Sequence, residues 1–283
     1  MERIGVVGCG LMGSGIAEVC ARADVDVIVV ERDAAALESA RKRVAASLSR
    51  AVASSKITEE AATAASDHLR FEGDFDALAD RELVIEAVAE DEETKLEVFR
   101  RLDTAVTHEG AIFATNTSSI PIIKLAMATS RPEAVIGMHF FNPVPVLKLV
   151  EMISSLLTSQ ETTLTVRTFA EERLGKHVIV SPDRAGFVVN ALLIPYLLSA
   201  VRMLESGFAS ADDIDTGMVL GCAHPMGPLK LIDLIGLDTT LAVADSLYAE
   251  FKESHLAPPP LLSRMTQAGL LGRKTGQGFY AYR

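Results

Sequence analysis

The segment from Met138 to Glu151 is almost entirely apolar, yet it contains two side chains that titrate, His139 and Glu151. Charged groups are seldom buried in apolar surroundings without a partner, so the two are candidates for a pair. A neutral imidazole, with an ordinary pKa of about 6.5, is well suited to accept a proton near neutral pH. A carboxylate on its other ring nitrogen fixes the tautomer and stabilises the imidazolium. The sequence therefore predicts a general base, His139, oriented by Glu151.

Two strands must position this pair. The run from Ala134 to Phe140 predicts a strand that ends just after His139, and Lys148 to Ile153 alternates enough to predict a second strand carrying Glu151. Prolines interrupt the chain between them, which predicts a turn. We expect the pair to lie at the edge of a sheet, where catalytic groups of open α/β folds are found.

A glycine-rich motif near the start of the chain predicts the cofactor. The apolar strand from Ile4 to Gly8 leads into GCGLMG, which is the pattern G-x-G-x-x-G between Gly8 and Gly13, and a helix-like spacing follows. These glycines allow a tight turn, close approach of the backbone to a pyrophosphate, and close packing of helix on strand. The start of the helix then offers N–H groups to the phosphates.

The second strand decides between the two nicotinamide cofactors. The run from Val25 to Val30 reads as a buried parallel strand, and Glu31 follows it, 18 residues after Gly13. An acid at that point suits the ribose 2′-hydroxyl of NAD. Arg32 is able to pair with a 2′-phosphate instead, and a solvent-facing Glu31 is the plainer alternative. Because Glu31 would repel a phosphate, we predict NAD.

Two further strands bring polar side chains to the same edge. Glu90 and Lys95 follow the strand from Leu83 to Val88, close to the start of a helix predicted from Asp91 to Val106. The strand from Ala111 to Thr115 ends in the polar sequence NTSS. In this sequence, Ser118 or Ser119 either caps a helix that begins near Pro121 or presents a hydroxyl to cofactor and substrate.

The segment from Ser39 to Thr58 reverses the sign of the local charge. It contains five basic residues and no acidic one, in a chain whose net charge is −11. A solvated helix face is one explanation, and electrostatic guidance of a phosphate-rich ligand is the other. The five basic residues are Arg41, Lys42, Arg43, Arg50 and Lys56.

Composition excludes several classes of protein. The acidic balance, 27 basic against 38 acidic residues, argues against nucleic acid and anionic membranes as partners, and aromatic residues make up only 5% of the chain. The longest apolar run, from Val188 to Leu198, is too short to span a bilayer. Three cysteines without metal-ligand spacing predict reduced thiols, no metal site and a cytoplasmic location. The N-terminus shows no leader pattern.

The pattern changes near Pro182, and the periodicity becomes helical from Phe187 onward. We therefore predict two domains. Residues 1–183 form a Rossmann-like, doubly wound, mostly parallel sheet with helices, and residues 184–283 form an all-helical domain. The second carries more apolar surface than a domain of roughly 100 residues easily buries alone, which favours a homodimer.

Several motifs in order resemble one enzyme family. They are GVVGCGLMGSGIAEV, EAVAED, ATNTSS, GMHFFNPVPVLKLVE, GFVVN, PMGPLKLIDLIGLD and KTGQGFY. Over nearly all of its length the sequence resembles the short-chain L-3-hydroxyacyl-CoA dehydrogenases of the 3-hydroxybutyryl-CoA dehydrogenase type. The resemblance implies NAD as cofactor, a dimer formed by the helical domain, and reversible oxidation of an (S)-3-hydroxyacyl-CoA in fatty-acid or butanoate metabolism.

The resemblance also implies roles for individual residues. The catalytic residues are His139, Glu151, Ser118 and Asn190, and the substrate contacts are Ser47, Lys56, Ser118 and Asn190. The cofactor contacts are Gly8, Gly10, Leu11, Met12, Gly13, Glu31, Arg32, Glu90, Lys95, Asn116, Ser118, Asn142 and Lys274.

The sequence departs from the family pattern at three points. Glu31 stands where Asp is usual, Ala191 follows Asn190 where Arg is frequent, and only Lys56 supplies a basic residue near Ser54. Two alternatives stay open at this point. One is a sugar-acid dehydrogenase of the L-gulonate type with the same architecture, and the other is a non-catalytic, NAD-binding structural dimer.

Overall fold

The computed structural model describes residues 1–282 and divides into two compact units, Met1–Arg184 and Ala185–Arg283, which are described separately. Arg283, the last residue of the predicted helical domain, lies outside the described residues. The separate roles predicted above for 1–183 and 184–283 stay predictions.

One sheet forms the centre of the first unit, with the strand order β3-β2-β1-β4-β5-β6-β7-β8. Neighbours from β3 to β6 are parallel; β7 runs antiparallel to β6, and β8 is parallel to β7. The reversal brings the start of β7 and β8 to the edge where β1 to β6 end. The strands are β1 Arg3–Val7, β2 Asp26–Val30, β3 Leu69–Glu72, β4 Leu83–Glu86, β5 Ile112–Thr115, β6 Val135–Phe140, β7 Leu149–Ser154 and β8 His177–Pro182.

Helices connect these strands. They are α1 Leu11–Ala21, α2 Ala34–Ala53, α3 Glu59–Asp67, α4 Glu92–Ala105, α5 Ile122–Ala126 and α6 Gln160–Thr168, which continues as a wider π-helical turn, Phe169–Arg173. Short 3-10 turns lie at Phe75–Leu78 and Pro132–Ala134.

The local sequence explains these elements. Residues of β4, β5 and β6 are buried throughout, as expected of strands covered by helices on both faces. Asp33, Thr58 and Asp91 each accept a hydrogen bond from the first turn of the helix that follows them. The predicted doubly wound α/β fold is confirmed, although α3 and β3 had not been predicted.

The second unit is helical. Ser210 accepts a hydrogen bond from the Asp213 N–H and so caps the helix that begins at Ala211. Two buried carboxylates organise the unit: Asp215 accepts from the Leu229 N–H, and Asp233 from the Phe279 N–H. The helices are α7 Val189–Glu205, α8 Ala211–Cys222, α9 Pro228–Ile235, α10 Leu237–Phe251 and α11 Pro260–Gln267, with 3-10 turns at Ser254–Leu256 and Arg273–Thr275. Among residues 1–282, no helix is both long and apolar enough to cross a membrane.

Candidate active site

His139 and Glu151 are a cross-strand pair near the end of β6. They are direct partners in the antiparallel ladder of β6 and β7, so their side chains project from the same face of the sheet. His139 Nδ1 lies 2.7 Å from Glu151 Oε2. Both side chains are buried, with 6% of His139 and 0% of Glu151 exposed. The structure thus brings together the two groups that the sequence singled out.

The contact with Glu151 selects the tautomer of His139. Because an ionised carboxylate only accepts hydrogen bonds, Nδ1 carries the proton and Nε2 of the neutral ring keeps its lone pair. The Ser118 hydroxyl lies 3.1 Å from Nε2 and is the donor in that contact. The Phe141 ring packs against the imidazole, with centroids 4.7 Å apart. His139 therefore holds a proton-accepting nitrogen next to a hydroxyl group.

Ser118 belongs to a loop that Glu90 organises. Glu90 Oε1 accepts hydrogen bonds from the Thr117 hydroxyl at 2.6 Å and from the N–H groups of Ser118 and Ser119 at 2.8 and 3.0 Å. Burial raises the pKa of Glu90, but the Lys95 ammonium and these hydrogen bonds outweigh it and hold the pKa below its ordinary value. An ionised Glu90 thus fixes the loop that carries the Ser118 hydroxyl.

The alternative role for this loop, capping of the next helix by a serine, is wrong. The N-cap residue of α5 is Pro121, which makes no capping bond, and the N–H of Ile123 in the first turn donates to Asp183 Oδ2 at 2.8 Å rather than to a serine. Instead, the hydroxyl of Thr117 accepts a hydrogen bond from the Ser119 N–H within the loop. The sequence reasoning gave no role to Thr117, and its position inside a polar cluster at a strand end was the available signal.

A buried ion pair adjoins this loop and was also missed. Glu86 ends β4 and Lys95 lies in α4, and both have 0% of their surface exposed. Lys95 Nζ lies 2.7 Å from Glu86 Oε1 and 3.4 Å from Glu90 Oε2. The Thr115 hydroxyl and the Val88 N–H donate to Glu86, each at 2.7 Å. One lysine therefore links two carboxylates, and a glutamate inside the apolar sequence LVIEAV was the signal for it.

The loop from Gly8 to Gly13 has a backbone that side chains would obstruct. Gly8 adopts a φ of +84°, and a Cβ at Gly13 would overlap the Gly8 carbonyl oxygen. A Cβ at Gly10 would meet nothing within 4 Å, so the space beside its backbone is open. α1 begins at Leu11, and the first N–H groups of a helix have no partner within it. The loop is thus a backbone site for an anionic group.

Glu31 closes the other side of this loop. Its Oε1 accepts a hydrogen bond from the Cys9 N–H at 2.6 Å, and Arg43 of α2 donates to the Cys9 carbonyl, also at 2.6 Å. Burial raises the pKa of Cys9 to about 12, so its thiol is protonated and packs as an apolar group. Arg32 is 87% exposed and pairs with Asp33. Glu31 is therefore an acid that faces the glycine loop, and its predicted contact with a ribose hydroxyl stays a prediction.

The other predicted residues of the first unit are spread along the same elements. Asn116 accepts a hydrogen bond from the Phe140 N–H at 2.9 Å, which links the ends of β5 and β6. Asn142 is exposed in the turn after β6, Ser47 is half-buried in α2, and Lys56 is exposed just beyond α2. Met12 is half-buried and Leu11 exposed at the start of α1, and Lys95 is fully buried, so contacts of these residues with a ligand stay predictions.

The basic segment 39–58 divides into two groups. Arg41 lies over the Phe71 ring at 4.7 Å, Arg43 holds the glycine loop, and Lys42 pairs with a glutamate one turn earlier in α2. Arg50 and Lys56 are exposed and form no ion pair within the part of the chain that the structure describes. These two residues are the cations of the segment still available to a ligand.

Two predicted residues lie in the second unit. Asn190 is half-buried in the first turn of α7. Lys274 Nζ lies 2.6 Å from both carboxylate oxygens of Asp238. Their roles toward substrate and cofactor stay predictions. No group of three or more histidine, cysteine or acidic side chains able to hold a metal occurs among residues 1–282.

Both parts of the chain match family models. Residues 3–184 match the family model of the 3-hydroxyacyl-CoA dehydrogenase NAD binding domain, and residues 186–282 match that of the C-terminal domain. The chain belongs to the 3-hydroxyacyl-CoA dehydrogenase family. Its first domain is therefore an NAD-binding domain, as the glycine motif predicted.

Similar proteins agree with this assignment. The chain is 55% identical to a 3-hydroxybutyryl-CoA dehydrogenase of Mycobacterium tuberculosis over 282 residues, covering 100% of this chain and 99% of the relative. Among solved structures, FadB2 of M. tuberculosis superposes with a TM-score of 0.99 at 54% identity, covering 100% and 99% of the two chains. The (S)-3-hydroxybutyryl-CoA dehydrogenase PaaH1 of Ralstonia eutropha superposes with a TM-score of 0.95 at 44% identity and the same coverage.

The residues present in this dehydrogenase fit NAD. The open backbone at Gly10 leaves room for a pyrophosphate, and the first N–H groups of α1 would hold it. Glu31 would accept a hydrogen bond from the ribose hydroxyls once it exchanges its bond with the Cys9 N–H. Glu31 is one methylene longer than aspartate, and it already reaches the loop, so the departure from the family pattern does not prevent this contact.

We expect the dehydrogenase to prefer NADH over NADPH by about 10²-fold in kcat/KM, because juxtaposed like charges cost several kcal/mol. Glu31→Ser should raise kcat/KM with NADPH at least tenfold and lower it with NADH by about tenfold, since a hydrogen bond to a charged group is lost. Steady-state rates and calorimetric binding of both cofactors measure these changes. Glu38→Ser, at an exposed glutamate of α2, is the control and should change neither ratio. Equal use of NADPH by the unaltered protein would contradict this reading of Glu31.

Proposed function

We propose that this protein catalyses the reversible, NAD-dependent oxidation of an (S)-3-hydroxyacyl-CoA to the 3-ketoacyl-CoA, with 3-hydroxybutyryl-CoA as the favoured substrate. The observation that carries the proposal is the buried contact of 2.7 Å between His139 and Glu151. It lies at the edge of the sheet where β1 ends and the Gly8–Gly13 loop begins. A base and a dinucleotide site at one edge are what oxidation of an alcohol requires.

In this reaction His139 Nε2 takes the proton of the 3-hydroxyl group, and the Glu151 carboxylate stabilises the imidazolium that forms. Bound NAD supplies the acceptor for the hydride that leaves C3. Ser118 now donates its hydroxyl to Nε2, so the substrate hydroxyl takes over that nitrogen and Ser118 turns its donor to the substrate oxygen. Asn190 is the second donor that we propose for the substrate.

The end of α2 suits the coenzyme A portion of the substrate. Arg50 and Lys56 are exposed there without internal ion pairs among the described residues, and Ser47 lies one turn earlier. The chain as a whole has a net charge of −11, so a polyanionic substrate needs a local reversal of sign. We propose that these side chains contact the phosphates of coenzyme A.

We expect the purified protein to oxidise NADH with acetoacetyl-CoA and not to reduce NAD with L-gulonate, which the sugar-acid alternative requires. Absorbance at the nicotinamide band measures both reactions, and a chain-length series of 3-ketoacyl-CoA substrates measures which one gives the highest kcat/KM. Free acetoacetate is the matched control, because it keeps the reacting group and removes the coenzyme A portion. Turnover of L-gulonate without turnover of the thioester would favour the sugar-acid dehydrogenase, and no turnover of either would favour the structural dimer.

We also propose that residues 184–283 form the dimerisation and substrate domain. Large apolar side chains are exposed on the second unit, among them Leu192 of α7, Phe208, and Leu220 of α8. Exposed apolar surface of this kind is typical of a subunit interface. All three cysteines are free, two of them buried, which supports a reducing compartment and the proposed cytoplasmic location.

A further inference from the structure

Lys176 lies where the reversal in the sheet brings the start of β8 close to the catalytic pair. It directly precedes His177, the first residue of β8, which pairs with Leu149 at the start of β7. β7 in turn runs antiparallel to β6, so these starting residues lie at the edge where β6 ends after His139. Only 8% of Lys176 is exposed. A nearly buried lysine thus lies beside the connection between the two catalytic strands.

The ammonium group of Lys176 is bonded to the backbone of that connection. Its Nζ donates to the Val144 carbonyl at 2.6 Å and to the Leu147 carbonyl at 2.8 Å. Within residues 1–282 it forms no ion pair with a carboxylate, and burial lowers the pKa of Lys176 below its ordinary value. Burying a cation costs free energy unless its donors are satisfied. The two carbonyls are therefore the compensation for this burial.

The connection, residues 141–148, contacts both the base and the cofactor helix. At its start, the Phe141 ring packs on His139 with centroids 4.7 Å apart. In its middle, Val144 is buried against α1 so closely that a Cβ at Gly15 would lie 2.8 Å from the Val144 Cβ. A shift of this backbone would therefore move the ring on the imidazole and the packing of the helix that begins at the glycine loop.

We propose that Lys176 is a positioning residue of the dehydrogenase, which holds the 141–148 connection and through it the packing of Phe141 on His139. Its ammonium acts through the two carbonyls to which it donates. The inference rests on the proposed function only for its kinetic consequence, since the anchoring of the connection is measurable without any substrate. Small displacements of a base from its productive geometry are costly, so an anchored connection favours the chemical step.

Lys176→Met removes the ammonium and keeps most of the side-chain volume. We expect kcat with acetoacetyl-CoA and NADH to fall about tenfold or more, because the geometry of the base is relaxed, while both KM values stay within about threefold. Hydrogen exchange of the Val146 and Leu147 amides, both bonded to the Pro143 carbonyl, should accelerate at least about tenfold. Lys176→Arg keeps the charge and donors and should recover most of both losses.

Arg131→Met is the matched control. Arg131 also donates to two backbone carbonyls, those of His108 and Val106, but at the opposite edge of the sheet, before β5. Its replacement should lower Tm and leave kcat and the exchange at Val146 and Leu147 unchanged. If Lys176→Met does not fold, Lys176→Gln, which keeps a neutral donor, is measured by the same criteria.

Unchanged exchange of the two amides in a folded Lys176 variant would overturn the proposal. It would also be overturned if kcat fell equally in the Lys176 and Arg131 variants, since a general loss of stability would then explain both. A further outcome is that the unaltered protein fails to turn over acetoacetyl-CoA while exchange is still accelerated in Lys176→Met. In that case the inferred role of Lys176 as an anchor stands, and the proposed function is refuted.

Discussion

Replacement of His139 by glutamine is expected to lower kcat by about 10³-fold, the middle of the range for loss of a general base. Glutamine keeps a polar side chain of similar reach but has no basic nitrogen to take the hydroxyl proton. The rate of NADH oxidation with acetoacetyl-CoA measures the loss.

The control for this variant is His68→Gln. His68 Nε2 lies 3.1 Å from Asp24 Oδ1, so it is also a histidine beside a carboxylate, but it directly precedes β3 at the other edge of the sheet. We expect its kcat to stay within about twofold, as for a surface substitution away from the site. Circular dichroism and NADH binding should be unchanged in both variants. A His139→Gln protein that retains its rate while folded would show that the pair is not the catalytic centre.

Lys95→Met is expected to destabilise the first unit by about 3–5 kcal/mol, the usual cost of removing one partner from a buried ion pair. The Glu86 carboxylate would keep its hydrogen bonds from Thr115 and Val88 but lose its cation while 0% exposed. Unfolding in urea, monitored by hydrogen exchange of the β4 amides, measures the loss of stability in this unit alone. This is needed because the two units need not unfold together.

The double variant Glu86→Gln/Lys95→Met distinguishes the cost of leaving Glu86 as an unpaired buried charge from the loss of the ion pair itself. With the carboxylate also neutralised, we expect it to be more stable than Lys95→Met alone, because the unpaired charge is gone. Lys124→Met is the matched control, since Lys124 forms a pair of similar length with Glu92, 2.8 Å against 2.7 Å, but is half-exposed. It should cost about 1 kcal/mol or less. If Lys95→Met and Lys124→Met lowered the free energy of unfolding equally, burial would not explain the effect of Lys95.

Much of the first unit was predictable because its signals are local. The glycines from Gly8 to Gly13 and the acid at Glu31 are fixed by the turn, the helix start and the strand end that surround them. The pair of His139 and Glu151 was predictable because two polar residues interrupt apolar strands. α3 and β3 were not predicted. The strand β3, LRFE, is short, and its residues alternate between half-buried and exposed, so it gives little periodicity.

The residues that support the site could not be predicted in the same way. Lys176 bonds to carbonyls 32 and 29 residues earlier, and the Thr115 hydroxyl meets a carboxylate 29 residues earlier. Such contacts depend on which strands become neighbours and in which direction they run. Nothing in the sequence next to Lys176 distinguishes it from a lysine on the surface. The catalytic pair could therefore be predicted from the sequence, whereas the residues that support it could be recognised only in the folded structure.

The antiparallel pairing of β6 and β7 makes the active site depend on the register of the two strands. Because side chains alternate between the two faces of a sheet, His139 and Glu151 meet only while their strands keep the present pairing. Insertion or loss of one residue before Glu151 within β7 would turn the acid to the opposite face of the sheet, and the same change in β6 would turn His139. Both side chains would still be present, but they would no longer be in contact. The connection between the strands is not bound by this rule, since it can change length without changing the alternation. In this protein the spacing along two strands is thus as much a catalytic element as the two side chains.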